Sequence, residues 1–336
     1  MNDTILDVRD LHVEFPLARG LVRAVDGASF DLRRGEALGL VGESGSGKTM
    51  ALRALVGLLP RQARLAGGEI LFEGTDLARV SAEDLRQVRG HDIAMIFQEP
   101  LTALNPVMRT GDQIAEGPRM RRGYSRRRAR ERAIELMQQV GISDPARRYQ
   151  AYPHELSGGM QQRVMIAIAL SLEPKLILCD EPTTALDVTI QDQILKLLES
   201  LRNELEVSVV FVSHDLAVIA QTCQRVAVMY AGQVVETGPI DEVFREPRHP
   251  YTLSLLRSVP DVDVVRESLA TIPGSPPDLA APPPGCRFHP RCPFVQVDCT
   301  SGDFPLRPVG TDRATACIHS ERCVQDVRRE PVIAGV

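Results

Sequence analysis

Residues 42–49 form a glycine-rich loop that ends in Lys-Thr and fills the phosphate-loop pattern G-x-x-x-x-G-K-[ST]. An apolar run at 37–41 precedes the loop, and an Ala- and Leu-rich segment at 50–59 with helical spacing follows it. This order of strand, loop and helix points backbone N–H groups and a helix N-terminus at a multiply charged phosphate. The sequence therefore predicts a nucleotide site rather than a chance Gly/Ser turn. Its predicted phosphate-contacting residues are Gly42, Glu43, Ser44, Gly45, Ser46, Gly47, Lys48 and Thr49.

Several side chains carry the chemistry that a nucleoside triphosphate needs. Lys48 can reach the β- and γ-phosphates, and Thr49 can offer its hydroxyl to Mg²⁺. The apolar run 176–179 ends at Asp180 and Glu181. At the carboxyl end of a central strand, an acid such as Asp180 suits Mg²⁺, and its neighbour Glu181 can polarise water. Ordinary acids of a strand-ending turn are the alternative, but the phosphate loop earlier in the chain favours the metal and water roles.

Two further polar residues follow predicted buried strands. The apolar run 93–97 is followed by Gln98, and the run 207–212 leads to His214. Ligand sites gather at the carboxyl ends of strands in open α/β sheets. A lone Gln is commonly a solvated loop residue and a lone His is commonly structural, but the shared strand-end placement favours a functional role for His214.

Two more positions are compatible with nucleotide contact. Ser157, Gly158 and Gly159 begin a predicted helix and form a possible anion seat, which alone is a weak signal. Phe15 lies in a β-rich stretch, where its ring could stack on a nucleotide base or could belong to the core. The sequence leaves these two alternatives for Phe15 open.

The elements that must position these residues follow from the apolar pattern. Residues 5–36 predict strands, and 225–238 predict a hairpin. Helical patterning covers 108–116 and 125–140. The proline-rich run 273–284 predicts an extended segment. Later prolines predict little helix in the C-terminal part, and they are Pro290, Pro293 and Pro305.

The composition is that of an ordinary globular chain, with 336 residues, 43% hydrophobic residues and a formal net charge of -5. That charge does not favour a nucleic-acid binder. The arginine-rich segment 119–132 fits a solvated helix face, with a surface for anionic lipid or nucleic acid as the alternative. No apolar run approaches the roughly 20 residues that span a bilayer, and the N-terminus lacks the pattern of a secretory signal. The expected compartment is therefore the cytosol.

Four cysteines in the C-terminal part are separated by five, six and seventeen residues. Cysteines in a cytosolic chain rarely form disulfides, whereas four thiols suit a tetrahedral Zn²⁺ or an iron–sulfur cluster. The spacing differs from the C-x₂-C pairs of common zinc folds, and unligated cysteines are the alternative. Cys323 follows the four and could compete for a ligand place. The four candidates are Cys286, Cys292, Cys299 and Cys317.

With these motifs in order, the chain resembles an ATP-binding cassette (ABC) subunit over about residues 5–245. The motifs match the family's first nucleotide motif, glutamine loop, signature sequence, second nucleotide motif, the loop that follows it and the switch histidine. They are residues 42–49, Gln98, 156–161, 176–181, 185–187 and His214. The resemblance implies an α/β fold: a P-loop NTPase (RecA-like) nucleotide-binding domain at 1–255, with an antiparallel β subdomain and an inserted helical subdomain at about 99–173. A small loop-rich C-terminal extension at 256–336 follows.

Other segments resemble the dipeptide and oligopeptide importer branch of the family. They are residues 98–106, 187–191 and 249–251. Residues 285–293 are similar to the C-terminal extension of that branch, in which some members hold a [4Fe-4S] cluster. The resemblance therefore implies such a cluster on the four candidate cysteines. Relatives with the same motifs handle nickel, glutathione or other small solutes, so these solutes stay alternatives to peptides.

The resemblance also implies site roles, in which two cassettes face each other head to tail with ATP held between them. Ser157 and the N–H groups of Gly158 and Gly159 then bind the γ-phosphate of the partner's nucleotide. Glu181 is the general base and His214 contacts the γ-phosphate. The remaining assignments are Thr49, Asp180 and Gln98 around Mg²⁺, directly or through water, with Gln98 also catalytic and Asp187 at the nucleotide site.

The implied partners are a second ATP-binding subunit of a sister type, two integral-membrane permease subunits contacted through the helical subdomain, and indirectly a solute-binding protein. Nucleic acid is not expected. The resemblance places the chain peripherally on the cytoplasmic face of the inner or plasma membrane. A soluble cassette ATPase acting on ribosomes or DNA is the alternative, but such relatives usually carry two cassettes or a long coiled-coil insertion. A non-enzymatic switch conflicts with the intact Glu181 and His214.

Overall fold

The computed structural model describes residues 3–17, 20–184, 186–258 and 272–329. The strands of these residues, in chain order, are β1 (Thr4–Leu17), β2 (Gly20–Arg33), β3 (Ala37–Val41), β4 (Arg64–Phe72), β5 (Thr75–Asp76), β6 (Ile93–Ile96), β7 (Leu176–Asp180), β8 (Ser208–Ser213), β9 (Arg225–Tyr230), β10 (Gln233–Pro239), β11 (Arg307–Gly310) and β12 (Arg313–Thr315). The α-helices are α1 (Lys48–Leu55), α2 (Ala82–Val88), α3 (Pro100–Ala103), α4 (Thr110–Arg121), α5 (Arg126–Gln139), α6 (Pro145–Arg148), α7 (Gly158–Leu170), α8 (Val188–Leu205), α9 (Leu216–Thr222), α10 (Ile240–Arg245), α11 (Pro250–Arg257) and α12 (Ser320–Arg329).

The chain divides into two compact units. The first unit consists of Met1–Arg33, Ala37–Arg79 and Val212–Val336, and the second of Arg34–Glu36 and Val80–Phe211. Each unit contains both strands and helices. Within the described residues, every helix is too short or too polar to cross a membrane.

One sheet of the first unit is antiparallel, with the strand order β2-β1-β4-β5. Its central strand β1 changes the phase of its alternation: Leu6 and Val8 are buried, and then Leu11 and Val13 are buried. The pairing register shifts between Val8 and Leu11, and Asp10 there has a φ of 49°. A bulge inserts extra residues and returns the apolar side chains to the same face. The strands predicted within 5–36 are confirmed.

The other strands of the first unit follow the order β11-β12-β10-β9-β3. Strand β3 pairs in parallel with β9 and is buried along its whole length, as expected for a strand covered on both faces. Helix α9 packs closely on β3, because a Cβ on Gly39 would lie 2.3 Å from Cγ2 of Ile219. Strands β9 and β10 pair antiparallel and confirm the hairpin predicted at 225–238.

The second unit contains the strand order β8-β7-β6, in which β6 and β7 pair in parallel. Between β6 and β7 the chain forms helices α3 to α7. Helices α4 and α5 confirm the patterning at 108–116 and 125–140. Ser125 caps α5 by accepting a hydrogen bond from the N–H of Arg128, and Ala129, Ala133 and Leu136 form its buried face. These small and apolar residues let α5 pack against α4 and α7.

The C-terminal part carries more regular structure than its prolines predict. Strand β12 pairs with β10, and helix α12 covers Ser320–Arg329. The expectation of little helix is wrong for α12, because Pro305 and the earlier prolines all lie before it and its buried face holds Cys323, Val324 and Val327. The run 273–284 has no helix or strand, as predicted.

Helix α11 begins with a buried histidine as its cap. The Nδ1 atom of His249 accepts a hydrogen bond of 3.1 Å from the N–H of Tyr251. The His249 N–H donates to the Glu236 carboxylate at 2.9 Å. Complete burial lowers the pKa of His249 to about 3, because the imidazolium would lose its hydration. His249 is therefore neutral in the folded protein at pH 7.

This burial predicts an acid-sensitive stability. The folded pKa of His249 lies below the ordinary value, so between about pH 6.5 and 3 the unfolded chain binds a proton that the folded chain excludes. The stabilisation is present above the unfolded pKa and is lost as the pH falls. From pH 7 to 5 we expect His249 to remove about 2 kcal/mol from the free energy of unfolding. Urea unfolding of His249→Asn, which keeps a cap acceptor, should lose this component of the pH dependence, whereas His91→Asn at an exposed site should keep it. Equal pH dependence in both variants would contradict the assignment.

Candidate functional site

The phosphate loop lies between β3 and α1 in the first unit, as the sequence predicts. Two of its glycines are required by close backbone approach. A Cβ on Gly42 would lie 2.1 Å from the carbonyl oxygen of Met229, and one on Gly47 would lie 2.3 Å from that of Ala24. Both glycines have positive φ, at 152° and 105°, which L side chains rarely adopt. Any larger residue at either position would displace the loop.

Lys48 is buried at the start of α1, with 5% of its surface exposed. Its Nζ donates to the carbonyl oxygens of Gly42 and Glu43, at 2.8 and 3.0 Å. These bonds hold the ammonium group inside the curl of the loop, where it can meet a phosphate. Ser46 is also buried, and its N–H donates to the carbonyl oxygen of Glu43 at 3.2 Å. Ser44 and Gly45 at the tip are exposed, and Thr49 is half-buried.

The second unit brings two predicted residues together at its strand ends. The Gln98 Nε2 donates to Oε2 of Glu181 at 3.2 Å. Oγ1 of Thr184 donates to the same oxygen at 2.9 Å. Glu181 has a φ of 47°, a strained conformation for a residue with a side chain. Asp180, the last residue of β7, is 1% exposed. These two hydrogen bonds orient the Glu181 carboxylate.

Mg²⁺ prefers oxygen ligands, and the residues predicted for it supply a hydroxyl, a carboxylate and an amide oxygen. The hydroxyl belongs to Thr49 in the first unit, and the other two groups belong to Asp180 and Gln98 in the second. By type, each of these groups is a ligand that the ion accepts. His214 follows β8 directly and is exposed, as is required of a side chain that contacts a ligand.

The predicted signature segment opens helix α7. Ser157 is the N-cap, and its hydroxyl accepts from the N–H of Met160 at 3.4 Å. Ser157 and Gly158 are exposed, so their polar groups are accessible to a second molecule. A Cβ on Gly159 would lie 2.7 Å from Cγ2 of Ile190, so that position needs a glycine for packing.

Two nucleotide candidates remain, Asp187 and Phe15. Asp187 is the exposed N-cap residue of α8. Residue 185 of the same predicted loop lies outside the described residues. Phe15 lies in β1 opposite Val22 and is half-buried, so neither alternative for its ring is excluded.

Several arginines of the segment 119–132 contact other side chains of the second unit. Arg122 and Arg132 both pair with Glu173, at 3.0 and 3.3 Å. The guanidinium of Arg128 lies over the ring of Tyr124, with 3.9 Å to the centroid. These contacts are typical of a solvated helix face.

The four candidate cysteines line one cavity in the first unit. Phe288, Phe294 and Phe304 supply much of the apolar wall. The cavity's other lining residues include His289 and His319. Cys323 is fully buried in α12 and is not among the lining residues. The sequence spacing alone did not separate Cys323 from the other four.

The close spacing of ligand atoms that a single metal ion needs can be compared with the structure. A tetrahedral Zn²⁺ with bonds of about 2.3 Å would need sulfurs about 3.8 Å apart. Among the described residues, one group of three possible metal ligands has its ligand atoms within 4.8 Å of one another, and it consists of Asp298, Cys299 and His319. This group includes a single cysteine. An iron–sulfur cluster spaces its thiolates more widely than one ion does. The four thiols are the ligand type that such a cluster takes.

Burial keeps the thiols of Cys286, Cys292 and Cys317 protonated at pH 7, because it raises their pKa values. It raises the pKa of Cys292 to about 11 and that of Cys317 to about 12, and it also raises the pKa of Cys286. Neighbouring thiols of the same group raise these values further, because a second thiolate would repel the first. Any metal that binds here must displace protons.

Sequence reasoning missed a connection between the C-terminal part and the phosphate loop. Arg291 forms a bidentate ion pair with Glu43, at 2.7 and 3.0 Å. The hydroxyl of Tyr251 accepts from the N–H of Glu43 at 2.7 Å. Nearby, Arg287 donates to the carbonyl oxygen of Ala231. The two contacts to Glu43 join residues more than 200 positions apart, so no local signal could have found them.

Comparison with known proteins supports the same assignment. The family model described as ABC transporter matches residues 25–184, and the model described as oligopeptide/dipeptide transporter, C-terminal region, matches residues 235–299. A putative peptide import ATP-binding protein of Brucella abortus (strain 2308) is 50% identical, over 95% of this chain and 97% of its own. The dipeptide transport ATP-binding protein DppD of Bacillus subtilis (strain 168) is 46% identical, over 98% of each chain.

Solved structures agree. A dimeric ATP-binding cassette in a post-hydrolysis state, bound to ADP and Pi, has a TM-score of 0.63 and 27% identity to this chain. It covers 70% of this chain and 98% of its own length. With a phosphate loop, an acid pair at the end of β7 and a transporter-type C-terminal region in one polypeptide, the chain belongs to the ATP-binding cassette family as an ATPase subunit of the peptide-importer branch.

Proposed function

We propose that this chain hydrolyses MgATP to drive the import of dipeptides or oligopeptides through a membrane complex. The proposal for the solute comes from the relatives, whose names assign them to peptide and dipeptide transport. The assignment of catalysis to this chain's residues rests on the hydrogen bond between Gln98 and Glu181. It joins a glutamine and a glutamate 83 positions apart into one cluster of polar groups beside a buried aspartate.

The phosphate loop binds and neutralises the nucleotide in this proposal. Its backbone N–H groups and Lys48 contact the phosphates, while Thr49 and Asp180 hold Mg²⁺, with Gln98 in contact directly or through water. Mg²⁺, when bound, offsets charge on the β- and γ-phosphates. Phosphoryl transfer needs positioning and charge neutralisation more than covalent chemistry, and these residue types supply both.

Glu181 accepts a proton from the attacking water, as a general base. The hydrogen bonds from Gln98 and Thr184 orient its carboxylate. His214 contacts the γ-phosphate, and its exposed position at the end of β8 supports this role. Asp187 and Phe15 complete the nucleotide site, with Phe15 stacking on the base.

The complete site needs a second cassette. Ser157, Gly158 and Gly159 would bind the γ-phosphate held by the partner, and the exposure of Ser157 and Gly158 on this chain supports such a contact. We propose that the partner is a sister subunit, that two permease subunits contact the helical segment 99–173, and that a solute-binding protein delivers the peptide. The chain would act on the cytoplasmic side of the membrane, with its cassette at 1–255 and its extension at 256–336.

Reconstitution of the full complex tests the solute. The chain, its sister subunit and the permeases would be placed in liposomes with the solute-binding protein, and ATP-dependent uptake would be measured. Dipeptides or oligopeptides should be accumulated. Uptake of Ni²⁺ or glutathione without peptide uptake would overturn the peptide assignment, and binding to ribosomes or DNA with stimulated hydrolysis would overturn the transport role.

We further propose that Cys286, Cys292, Cys299 and Cys317 hold a [4Fe-4S] cluster. Four thiols around one apolar cavity support this assignment. The group would cross-link a region that has a small core, which is a structural role. Protein purified without oxygen should contain about four irons and four sulfides per chain, as the cluster formula requires.

Substitution and pH test the cluster. Cys292→Ser should lose most of the iron and sulfide, and Cys223→Ser, at a buried thiol outside the cavity, should retain them. Because the raised thiol pKa values must be overcome, loading should improve as the pH rises from about 6 to 9. Stoichiometric zinc, or iron that survives Cys292→Ser, would contradict the proposal.

A further inference from the structure

We propose that Arg291 of the C-terminal extension is a positioning residue for the phosphate loop and acts through Glu43. The inference rests on the proposed nucleotide site, because it assigns to Arg291 the geometry of the loop that binds ATP. All of the groups involved lie in the first unit.

Glu43 is held at three points. Its N–H donates to the hydroxyl of Tyr251 at 2.7 Å, and its carbonyl oxygen accepts from Nζ of Lys48 at 3.0 Å. Its carboxylate accepts both terminal nitrogens of Arg291, at 2.7 and 3.0 Å. Two of these three restraints come from the C-terminal part of the chain. The second residue of the loop therefore depends on that part for its position.

Arg291 is itself fixed in one orientation. Its side chain is 4% exposed, and its Nε donates to the carbonyl oxygen of Pro273 at 2.8 Å. One terminal nitrogen also donates to the hydroxyl of Tyr230 at 3.3 Å. The planar guanidinium matches a carboxylate in a bidentate geometry that an ammonium group cannot reproduce. The ion pair between Arg291 and Glu43 therefore fixes the Glu43 side chain relative to the C-terminal extension.

An aromatic cluster packs beside this arginine. The rings of Tyr230, Tyr251 and Phe288 lie within 4.4 to 5.4 Å of one another, centroid to centroid. The guanidinium of Arg291 lies 5.8 Å from the Tyr230 ring centroid. Tyr251 therefore contributes both a ring to this cluster and a hydroxyl to the loop. The cluster makes one rigid support for the Arg291 and Tyr251 contacts.

The effect should be on nucleotide binding more than on the chemical step. Lys48 donates to the carbonyl oxygens of Gly42 and Glu43, so a displaced Glu43 would also misplace the ammonium that meets the phosphates. The general base is assigned to Glu181, which makes no part of this network. Loss of Arg291 should raise KM and the Kd for ATP and should leave kcat at saturating ATP within about twofold.

Calorimetric titration of the full chain with ATP and Mg²⁺ tests the inference. Arg291→Met should weaken binding about tenfold, as expected when a charged hydrogen-bonding partner is removed. Arg291→Lys should recover part of the loss, because it restores the charge without the bidentate geometry. Arg307→Met, at an exposed arginine of β11, is the matched control and should bind as the wild type does.

A double-mutant cycle separates positioning from general destabilisation. If Arg291 acts through Glu43, the double variant Glu43→Ala/Arg291→Met should bind ATP no more weakly than the weaker single variant. If the losses in ATP affinity of the two single variants add in the double variant, the inference is overturned. It is also overturned if the wild type binds ATP normally and Arg291→Met binds it equally well. A wild-type protein that binds no ATP would instead reject the nucleotide site. Thermal unfolding of each variant identifies a loss caused by misfolding, and Arg291→Lys then decides the question. A partial loss relative to Arg307→Met that is not additive with Glu43→Ala supports the inference, and an additive loss opposes it.

Discussion

Glu181→Gln is expected to retain ATP binding and to lower steady-state ATP hydrolysis by the assembled complex by about 10² to 10⁴-fold, the usual contribution of a general base. The amide has nearly the same shape as the carboxylate but cannot accept the proton of the attacking water. The hydrogen bonds from Gln98 and Thr184 are made to one oxygen of Glu181, so an amide oxygen can still accept them. The cluster should therefore keep its geometry while its chemistry is lost.

Two measurements check this result. Phosphate release under saturating MgATP gives the turnover, and equilibrium titration gives the affinity. Glu199→Gln, an exposed glutamate on α8, is the matched control and should hydrolyse ATP at the wild-type rate. Turnover by Glu181→Gln within a few-fold of the wild type would show that another group accepts the proton.

Lys48→Ala is expected to weaken ATP binding by about 100-fold or more. The ammonium group makes charge-assisted contacts, each of which contributes roughly 1.5–3 kcal/mol. The same group donates to the carbonyl oxygens of Gly42 and Glu43, so its removal also takes away bonds that hold the loop closed. The variant thus loses a phosphate ligand and part of the loop's order together.

Titration with ATP and Mg²⁺ measures this loss directly. Lys196→Ala removes a lysine that pairs with Asp192 on the exposed face of α8 and should leave the affinity unchanged. Unchanged affinity in Lys48→Ala would show that the buried ammonium is only a structural support for the loop.

The agreement between sequence and structure depends on how far apart the interacting residues lie. The phosphate loop was recognisable because its eight residues are consecutive and its curl is a property of local backbone and glycine. The capped start of α7 at Ser157 was equally local. Gln98 and Glu181 are 83 positions apart, yet each could be found because each follows an apolar run, although the hydrogen bond between them could not.

The C-terminal part shows where such reasoning failed. Its prolines suggested little helix, but the amphipathic residues of α12 pack Val324 and Val327 inward. The spacing of the cysteines left Cys323 as a competitor, and burial in α12 removed it from the cavity. Tertiary packing decided both outcomes, and short-range sequence patterns do not predict tertiary packing.

The sequence by itself determined the ATPase motifs, the order of strands and helices that position them, and the set of thiols available for a cluster. These depend on residue type and short-range spacing, which set backbone conformation and burial directly. Tertiary structure alone decided that the four cysteines share one cavity and that Arg291 forms an ion pair with Glu43, 248 positions earlier in the chain. Contacts of that kind form only when the whole unit buries its apolar surface, because folding is what brings the distant charges together and excludes water from them.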